Sequence, residues 1–159
     1  MKGVFIGLGS NLADPIAQIE SAILALNDVD EVTVVSRSSL YSSPPMGPQD
    51  QPDYINAVVE VDTTLFAHKL LDALQEIEQQ QGRVRERHWG ERTIDLDLLV
   101  YGNNTLDDER LNVPHPGIAE RAFVLYPLAE IAADLKIPTL GNIEQLLEAC
   151  PRDGLERME

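Results

Sequence analysis

The segment richest in chemistry is Trp89-Gly90-Glu91-Arg92-Thr93-Ile94-Asp95-Leu96-Asp97-Leu98-Leu99. On an extended strand, side chains alternate between faces. Asp95 and Asp97 then share one face, roughly 7 Å apart, while Ile94, Leu96 and Leu98 anchor the other in a core. Two carboxylates on a rigid strand suit hard cations such as Mg²⁺, which take oxygen ligands and keep water and substrate phosphates in the remaining positions. Two such ions can clamp a displacement at phosphorus. Taken alone, the pair fits the solvated polar face of an ordinary strand better; the arginines just upstream reverse that preference.

The chain carries 12 Lys and Arg against 27 Asp and Glu, a net charge of −15. Yet Arg83, Arg85, Arg87 and Arg92 fall within ten positions of one another. Arginine's planar fork makes paired, charge-assisted hydrogen bonds to phosphate. A polar loop over residues 83–92 is also where a closing lid would sit. Strand carboxylates beside loop arginines are the parts that phosphoryl-type transfer needs. The acidic excess argues against nucleic-acid binding, which requires a basic face. The usual nucleotide motifs are absent. Gly7-Leu8-Gly9-Ser10-Asn11-Leu12 begins like a dinucleotide fingerprint but has Leu12 where a third glycine belongs, and no GxxxxGK[ST] occurs. Gly9-Ser10-Asn11 is therefore either a strand-to-helix turn or a wall of the site. Tyr54 and Asn56 share strand parity, and with Phe123 they would suit a planar heterocycle.

These residues need elements to position them. Residues 4–8 read as a buried strand. Asp14 and Pro15 open a helix as N-cap and first helical residue, with Ile16, Ile19, Ile23 and Leu26 on one face. Residues 32–41 and 55–61 read as strands, separated by a proline-rich loop to about Pro52. Residues 65–81 form a second helix with Leu70, Leu71, Leu74, Ile77 and Glu78 near one side, ended by Gly82. Residues 93–101 are a fourth strand. Short helices follow near 118–123 and 143–148. This order predicts an α+β fold, an α/β sandwich with a ferredoxin-like βαββαβ core, helices packed on one face and extra C-terminal elements, all in one domain spanning 1–159. A single cysteine, Cys150, excludes an internal disulfide, and no apolar run approaches membrane-spanning length. With no signal-peptide pattern at the start, the expectation is a cytoplasmic protein with no membrane partner.

Together the residues resemble the 6-hydroxymethyl-7,8-dihydropterin pyrophosphokinase family along nearly the whole chain. The resemblance rests on Gly9-Ser10-Asn11-Leu12, Tyr41-Ser42-Ser43-Pro44-Pro45, Gln51-Pro52-Asp53-Tyr54-Ile55-Asn56-Ala57 and the stretch from Glu78 to Arg85. It continues through the arginine and two-aspartate segment, Arg110-Leu111, Val113-Pro114-His115-Pro116 and Arg121-Ala122-Phe123-Val124-Leu125. It implies a monomer that moves diphosphate from ATP, the co-substrate, to the pterin, releasing AMP, in folate biosynthesis. It implies two Mg²⁺ ions on Asp95 and Asp97, a pterin stacked between Tyr54 and Phe123, and ring contacts from Asn56 and from backbone near Ser43, Pro44 and Met46. Arg83, Arg92 and Arg121 resemble the family's phosphate and pterin-side arginines, Arg83 and Arg92 together with the two aspartates forming the catalytic set. Arg85, Leu98, Arg110, Asn112 and His115 resemble its ATP-side contacts. Leu71 and Glu78 resemble residues lining the site, and Trp89 a loop aromatic that closes over the substrates. Either Asp97 or a metal-bound water would take the hydroxyl proton.

Three positions depart from the family pattern. The loop Arg85-Glu86-Arg87-His88-Trp89 is one residue short, with His88 where an arginine often precedes the tryptophan. Pro116 stands where an aromatic is frequent. Ser43 replaces the common threonine. The competing class is a non-catalytic ferredoxin-like binding domain, which would have no need of carboxylates and arginines beside a phosphate. An RNA-binding sheet of similar topology conflicts with the charge and lacks an aromatic cluster on the central strands.

Overall fold

A computed structural model describes residues 1–11, 14–44, 53–82, 94–152 and 154–158. In chain order the elements are β1 (Val4–Ser10), α1 (Pro15–Asn27), β2 (Val32–Arg37), β3 (Tyr41–Ser43), β4 (Tyr54–Thr63), α2 (Ala67–Gly82) and β5 (Asp95–Tyr101). Then come β6 (Leu106–Asp107), β7 (Asn112–Val113), a 3₁₀ turn (Ile118–Glu120), α3 (Ala122–Ile131), β8 (Lys136–Ile137), β9 (Gly141–Asn142), α4 (Ile143–Glu148) and β10 (Glu156–Arg157). Among the described residues the main sheet runs β10-β3-β4-β1-β5, with β2 also paired to β4, and its pairings are antiparallel. β1, β4, β5 and the β2–β3 edge hold the predicted split βαβ order.

Local chemistry explains the boundaries. The Asp14 carboxylate accepts from the Ala17 N–H at 3.4 Å, and Pro15 supplies the first helical residue. At the other end of α1, Asn27 Oδ1 accepts from the Val34 N–H at 2.9 Å, which ties the helix exit to β2. The predicted strand over 32–41 is broken into β2 and β3. The cause is Ser38, whose side-chain oxygen accepts from the Val58 N–H at 2.9 Å in place of a backbone carbonyl, while its own N–H donates to the Val58 carbonyl at 2.8 Å. β2 pairs with Val59 to Thr63 and β3 with Tyr54 to Asn56, both along one edge of β4.

Helices cover both faces of this sheet, where the sequence predicts one. Ile19, Ala22, Ile23 and Leu26 of α1 and Leu70, Leu71, Leu74 and Ile77 of α2 bury against Val4, Ile6, Leu8, Ala57, Val59, Leu96 and Leu98. Each Val, Leu or Ile among them contributes roughly 1.5–3 kcal/mol when fully buried. The opposite face packs Phe5, Val58, Leu99 and Val100 against Val124, Leu125 and Leu128 of α3 and Ile143 of α4. α3 continues to Ile131 through Pro127, well past the predicted stop. Pro127 forgoes one helical hydrogen bond, and the burial of Val124, Leu125, Pro127 and Leu128 outweighs that loss. No helix among the described residues is long and apolar enough to cross a membrane.

Candidate active site

On the α3 side of the sheet, register brings the chemically capable residues together. Gly9 lies between Asn56 on β4 and Asp95 on β5, and Gly7 lies between Val58 and Asp97. Strand alternation places Tyr54, Asn56, Gly7, Gly9, Asp95 and Asp97 on this one face. The two glycines hollow the centre. A Cβ on Gly9 would stand 3.2 Å from Asn56 Oδ1, and one on Gly7 would stand 3.4 Å from the Leu99 side chain. The result is a cleft of about 210 Å³. Ser43, Pro44, Tyr54 and Asn56 stand at one end, Asp95 and Asp97 at the other, and Arg121, Phe123 and Val124 supply a wall from the start of α3.

Asn56 is 4% exposed and its amide is committed: Nδ2 donates to Ser43 Oγ at 2.8 Å. Its Oδ1 is thereby turned over the Gly9 floor as an acceptor. The Arg121 guanidinium lies 5.9 Å from the Phe123 ring centroid, so the wall combines a cation with an aromatic face. The Gly117 N–H donates to His115 Nδ1 at 3.0 Å, which leaves Nε2 as the donor in the neutral imidazole. Burial pushes the His115 pKa below its ordinary value; the nearby Asp97 charge opposes this and Arg121 adds to it. In its neutral form the imidazole presents that Nε2 N–H as its donor.

The start of β5 is held from the helical side. Glu78 Oε2 accepts from the Leu96 N–H at 2.7 Å, an edge-strand donor that faces away from β1. This carboxylate grips the peptide between the two aspartates. Leu71 and Leu98 are buried in the core on the helical face, so their side chains do not line the cleft. Arg110 sits in the β6–β7 connection, paired with Asp72 at 2.7 Å and Gln75 at 3.2 Å on α2, and Asn112 is exposed on β7. Of the predicted site residues, Arg83, Arg85, Arg92, Trp89 and Met46 lie outside the described residues. Pro116, one of the departures from the family pattern, follows His115 directly and leaves its Nδ1 contact to Gly117 intact.

Among the described residues no three His, Cys, Asp or Glu side chains gather into a metal cage. The chemistry of the pair still fits a hard divalent cation: two carboxylates opening onto the cleft leave most of an oxygen shell for water and phosphate. Gly7 was missed as a site residue, although it falls on the predicted strand two positions before the Gly9 that bounds it, and a missing side chain there opens one face. Val124 was also missed, because a small apolar residue on a helix reads as core.

Fold and cleft define an α+β ligand-binding domain of ferredoxin-like order, with a carboxylate pair at one end of the cleft. A family model described as 7,8-dihydro-6-hydroxymethylpterin-pyrophosphokinase (HPPK) matches residues 5–133. The chain is 51% identical over 158 residues to the 2-amino-4-hydroxy-6-hydroxymethyldihydropteridine pyrophosphokinase of Pseudomonas aeruginosa, covering 99% of this chain and 98% of that protein. It is 51% identical over 148 residues to the protein of the same name from Haemophilus influenzae, covering 93% and 92%. The crystal structure of Plasmodium falciparum HPPK-DHPS wild type with pteroate has a TM-score of 0.72 at 15% identity, covering 92% of this chain and 42% of that one; the likeness is one of fold. The chain belongs to the 7,8-dihydro-6-hydroxymethylpterin-pyrophosphokinase family.

Proposed function

We infer that this chain transfers the terminal diphosphate of ATP to 6-hydroxymethyl-7,8-dihydropterin, giving AMP and the pterin diphosphate in folate biosynthesis. The observation that carries the reading is one glycine-floored cleft with Tyr54 and the Asn56 amide at one end, Asp95 and Asp97 at the other, and the Phe123 ring in the wall. The pterin occupies the end formed by Tyr54, Asn56, Ser43 and Pro44 against the Phe123 wall, with a further ring contact from the backbone of Met46. Asn56 Oδ1, free of the Ser43 contact, accepts from an N–H edge of the ring. Tyr54 and Phe123 supply flat faces.

Two Mg²⁺ ions, held by Asp95 and Asp97 with phosphate oxygens and water, would supply charge neutralisation along the diphosphate. The acceptor hydroxyl attacks the β-phosphorus and AMP departs. Arg83, Arg92 and Arg121 carry charge on the phosphate oxygens as it redistributes. His115 Nε2 donates to a phosphate oxygen beside Asp97. The nucleotide lies around the β5 edge, where α2 brings Leu71 and Glu78, β5 brings Leu98, and the segment through β7 brings Arg110, Asn112 and His115. Arg85 completes that side and Trp89 closes over the substrates. The hydroxyl proton passes to Asp97 or to water held beside it. The protein acts as a cytoplasmic monomer with no nucleic-acid or membrane partner.

The test is release of AMP from ATP and Mg²⁺ with and without the pterin. AMP formed only when pterin is present is the expected result. ADP in its place would overturn the mechanism, and folded protein without nucleotide turnover would restore the non-catalytic binding domain.

A further inference from the structure

Beyond α4 the chain keeps making structure that the sequence pattern does not announce. Cys150 and Leu155 are buried on the cleft side of the sheet, while Met158 packs on the helical side. The tail wraps the β3 edge between them. Glu156 and Arg157 pair with Ser42 and Tyr41, and the Met158 N–H donates to the Leu40 carbonyl at 2.8 Å. The start of the tail is fastened to α3. The Tyr126 hydroxyl donates to the Cys150 carbonyl at 2.8 Å. Arg152 lies 5.0 Å from the Tyr126 ring centroid and donates through Nε to the Leu155 carbonyl at 3.3 Å.

Between these anchors stands Gly154, with φ of +88°, where a Cβ would lie 3.1 Å from Pro44 Cγ and 3.4 Å from Pro44 Cδ. Pro44 lines the cleft, and Ser43 beside it holds the Asn56 amide. α3, the helix that anchors the tail, also carries Phe123 and Val124 into the opposite wall.

We propose that residues 154–158 position the acceptor pocket, joining its β3 wall to its α3 wall, with Gly154 as the positioning residue that sets Pro44. The proposal rests on the assignment of this end of the cleft to the pterin. Gly154 is suited to both demands of its place: a left-handed backbone and no Cβ against the proline ring. A side chain there would press Pro44, and Ser43 with it, toward the cleft. The far end, with Asp95 and Asp97, would be left as it is, so acceptor and nucleotide should respond differently.

The experiment compares wild-type, Gly154→Ala and Gly154→Asn proteins. Pterin binding is measured by fluorescence titration in the presence of a non-hydrolysable ATP analogue, and KM is measured for each substrate. Asparagine tolerates the left-handed backbone and alanine does not, but both carry the Cβ. Both variants should weaken pterin binding and raise its KM by about five- to tenfold, the scale of a forced contact in a packed wall, with the KM for ATP within about twofold. Unchanged pterin affinity in both variants would overturn the proposal. So would parallel losses for both substrates with a lowered Tm, which would make the tail a support for the fold as a whole. A wild-type-like Gly154→Asn beside an impaired Gly154→Ala would trace the effect to backbone strain and remove the Pro44 contact from it. Wild-type protein that fails to bind the pterin would overturn the acceptor assignment itself, and the proposal with it.

Discussion

The same three strands do opposite work on their two faces. Toward α1 and α2, β1, β4 and β5 present Val4, Ile6, Leu8, Ala57, Val59, Leu96 and Leu98, and almost every position is closed off from water. Toward α3 they present Gly7, Gly9, Tyr54, Asn56, Asp95 and Asp97 over a part of the sheet left uncovered, beside Phe5, Val58, Leu99 and Val100, which α3 and α4 cover. A period of two makes this division possible. It also lets residues adjacent in sequence serve different ends: Leu96 anchors the strand while its neighbours on either side reach the cleft. Close packing over the whole α1–α2 face, and under α3 and α4 where Phe5, Val58, Leu99 and Val100 are covered, lets polar groups and missing side chains be tolerated in the cleft.

The largest test of this division is Asp97→Ala. Asp97 is exposed and faces the cleft, so its loss should leave Tm within a few degrees. Transfer should fall by about a thousandfold or more, the several kcal/mol attached to losing a ligand for the phosphate-side cations. Steady-state kinetics beside a thermal melt reads both. Near-normal turnover in the folded variant would dissolve the functional half of the comparison.

The mirror-image experiment is Leu74→Ala on the other side. Leu74 is 0% exposed beneath α2. Truncation should cost about 2–5 kcal/mol in denaturant unfolding through lost burial and the cavity left behind. The kcat of the protein that remains folded should stay within about twofold of wild type, because Leu74 lies on the helical face and is not among the residues that line the cleft. A kcat loss comparable to that of Asp97→Ala would mean the two faces are coupled through the sheet.

How far this division was legible in the sequence follows from how local each signal is. The aspartate pair, the Tyr54–Asn56 parity and the α1 cap are period-two or end-of-helix patterns set within a few residues, and the structure forms each of them. The break at Ser38 was not legible, because it depends on a hydroxyl replacing a carbonyl opposite a strand that follows some twenty residues later. α3 running through Pro127 was hidden for a related reason: local propensity forbids what burial against Phe5 and Val58 supports. β10 is only two residues long and gains its place from β3, far away in sequence. The folding role of Glu78 was also out of reach. A charged residue near the apolar side of a helix gives no sign that it will cap the one strand edge on which the aspartates sit.

Glu130 sharpens the comparison from a third position, where α3 covers the cleft face and polar groups support the fold. Its carboxylate accepts from the Tyr41 hydroxyl at 2.8 Å, from the Ser39 hydroxyl at 2.8 Å and from the Ser39 N–H at 3.0 Å, with Arg157 at 3.8 Å. Burial pushes its pKa up, but the hydrogen bonds from Tyr41 and Ser39 outweigh that and hold it below the usual glutamate value. A depressed folded pKa means that the unfolded chain takes up the proton first as pH falls. The stabilisation is therefore complete above the unfolded value of about 4.3 and is lost as pH drops through the lower folded value. Tyr41 has the opposite sign: burial first, then Glu130, raises its hydroxyl to about 12, so its contribution fades as pH rises from the unfolded value of about 10 toward the folded one. Glu130→Gln keeps the shape and removes the charge. It should cost about 1–2 kcal/mol at pH 7, the range of hydrogen bonds to a charged group at a partly buried site, and progressively less below about pH 4. Urea titrations of both proteins at pH 7 and in the acid range measure the gap. A gap that widens on acidification would reverse the sign and take Glu130 out of the network that closes this part of the cleft face.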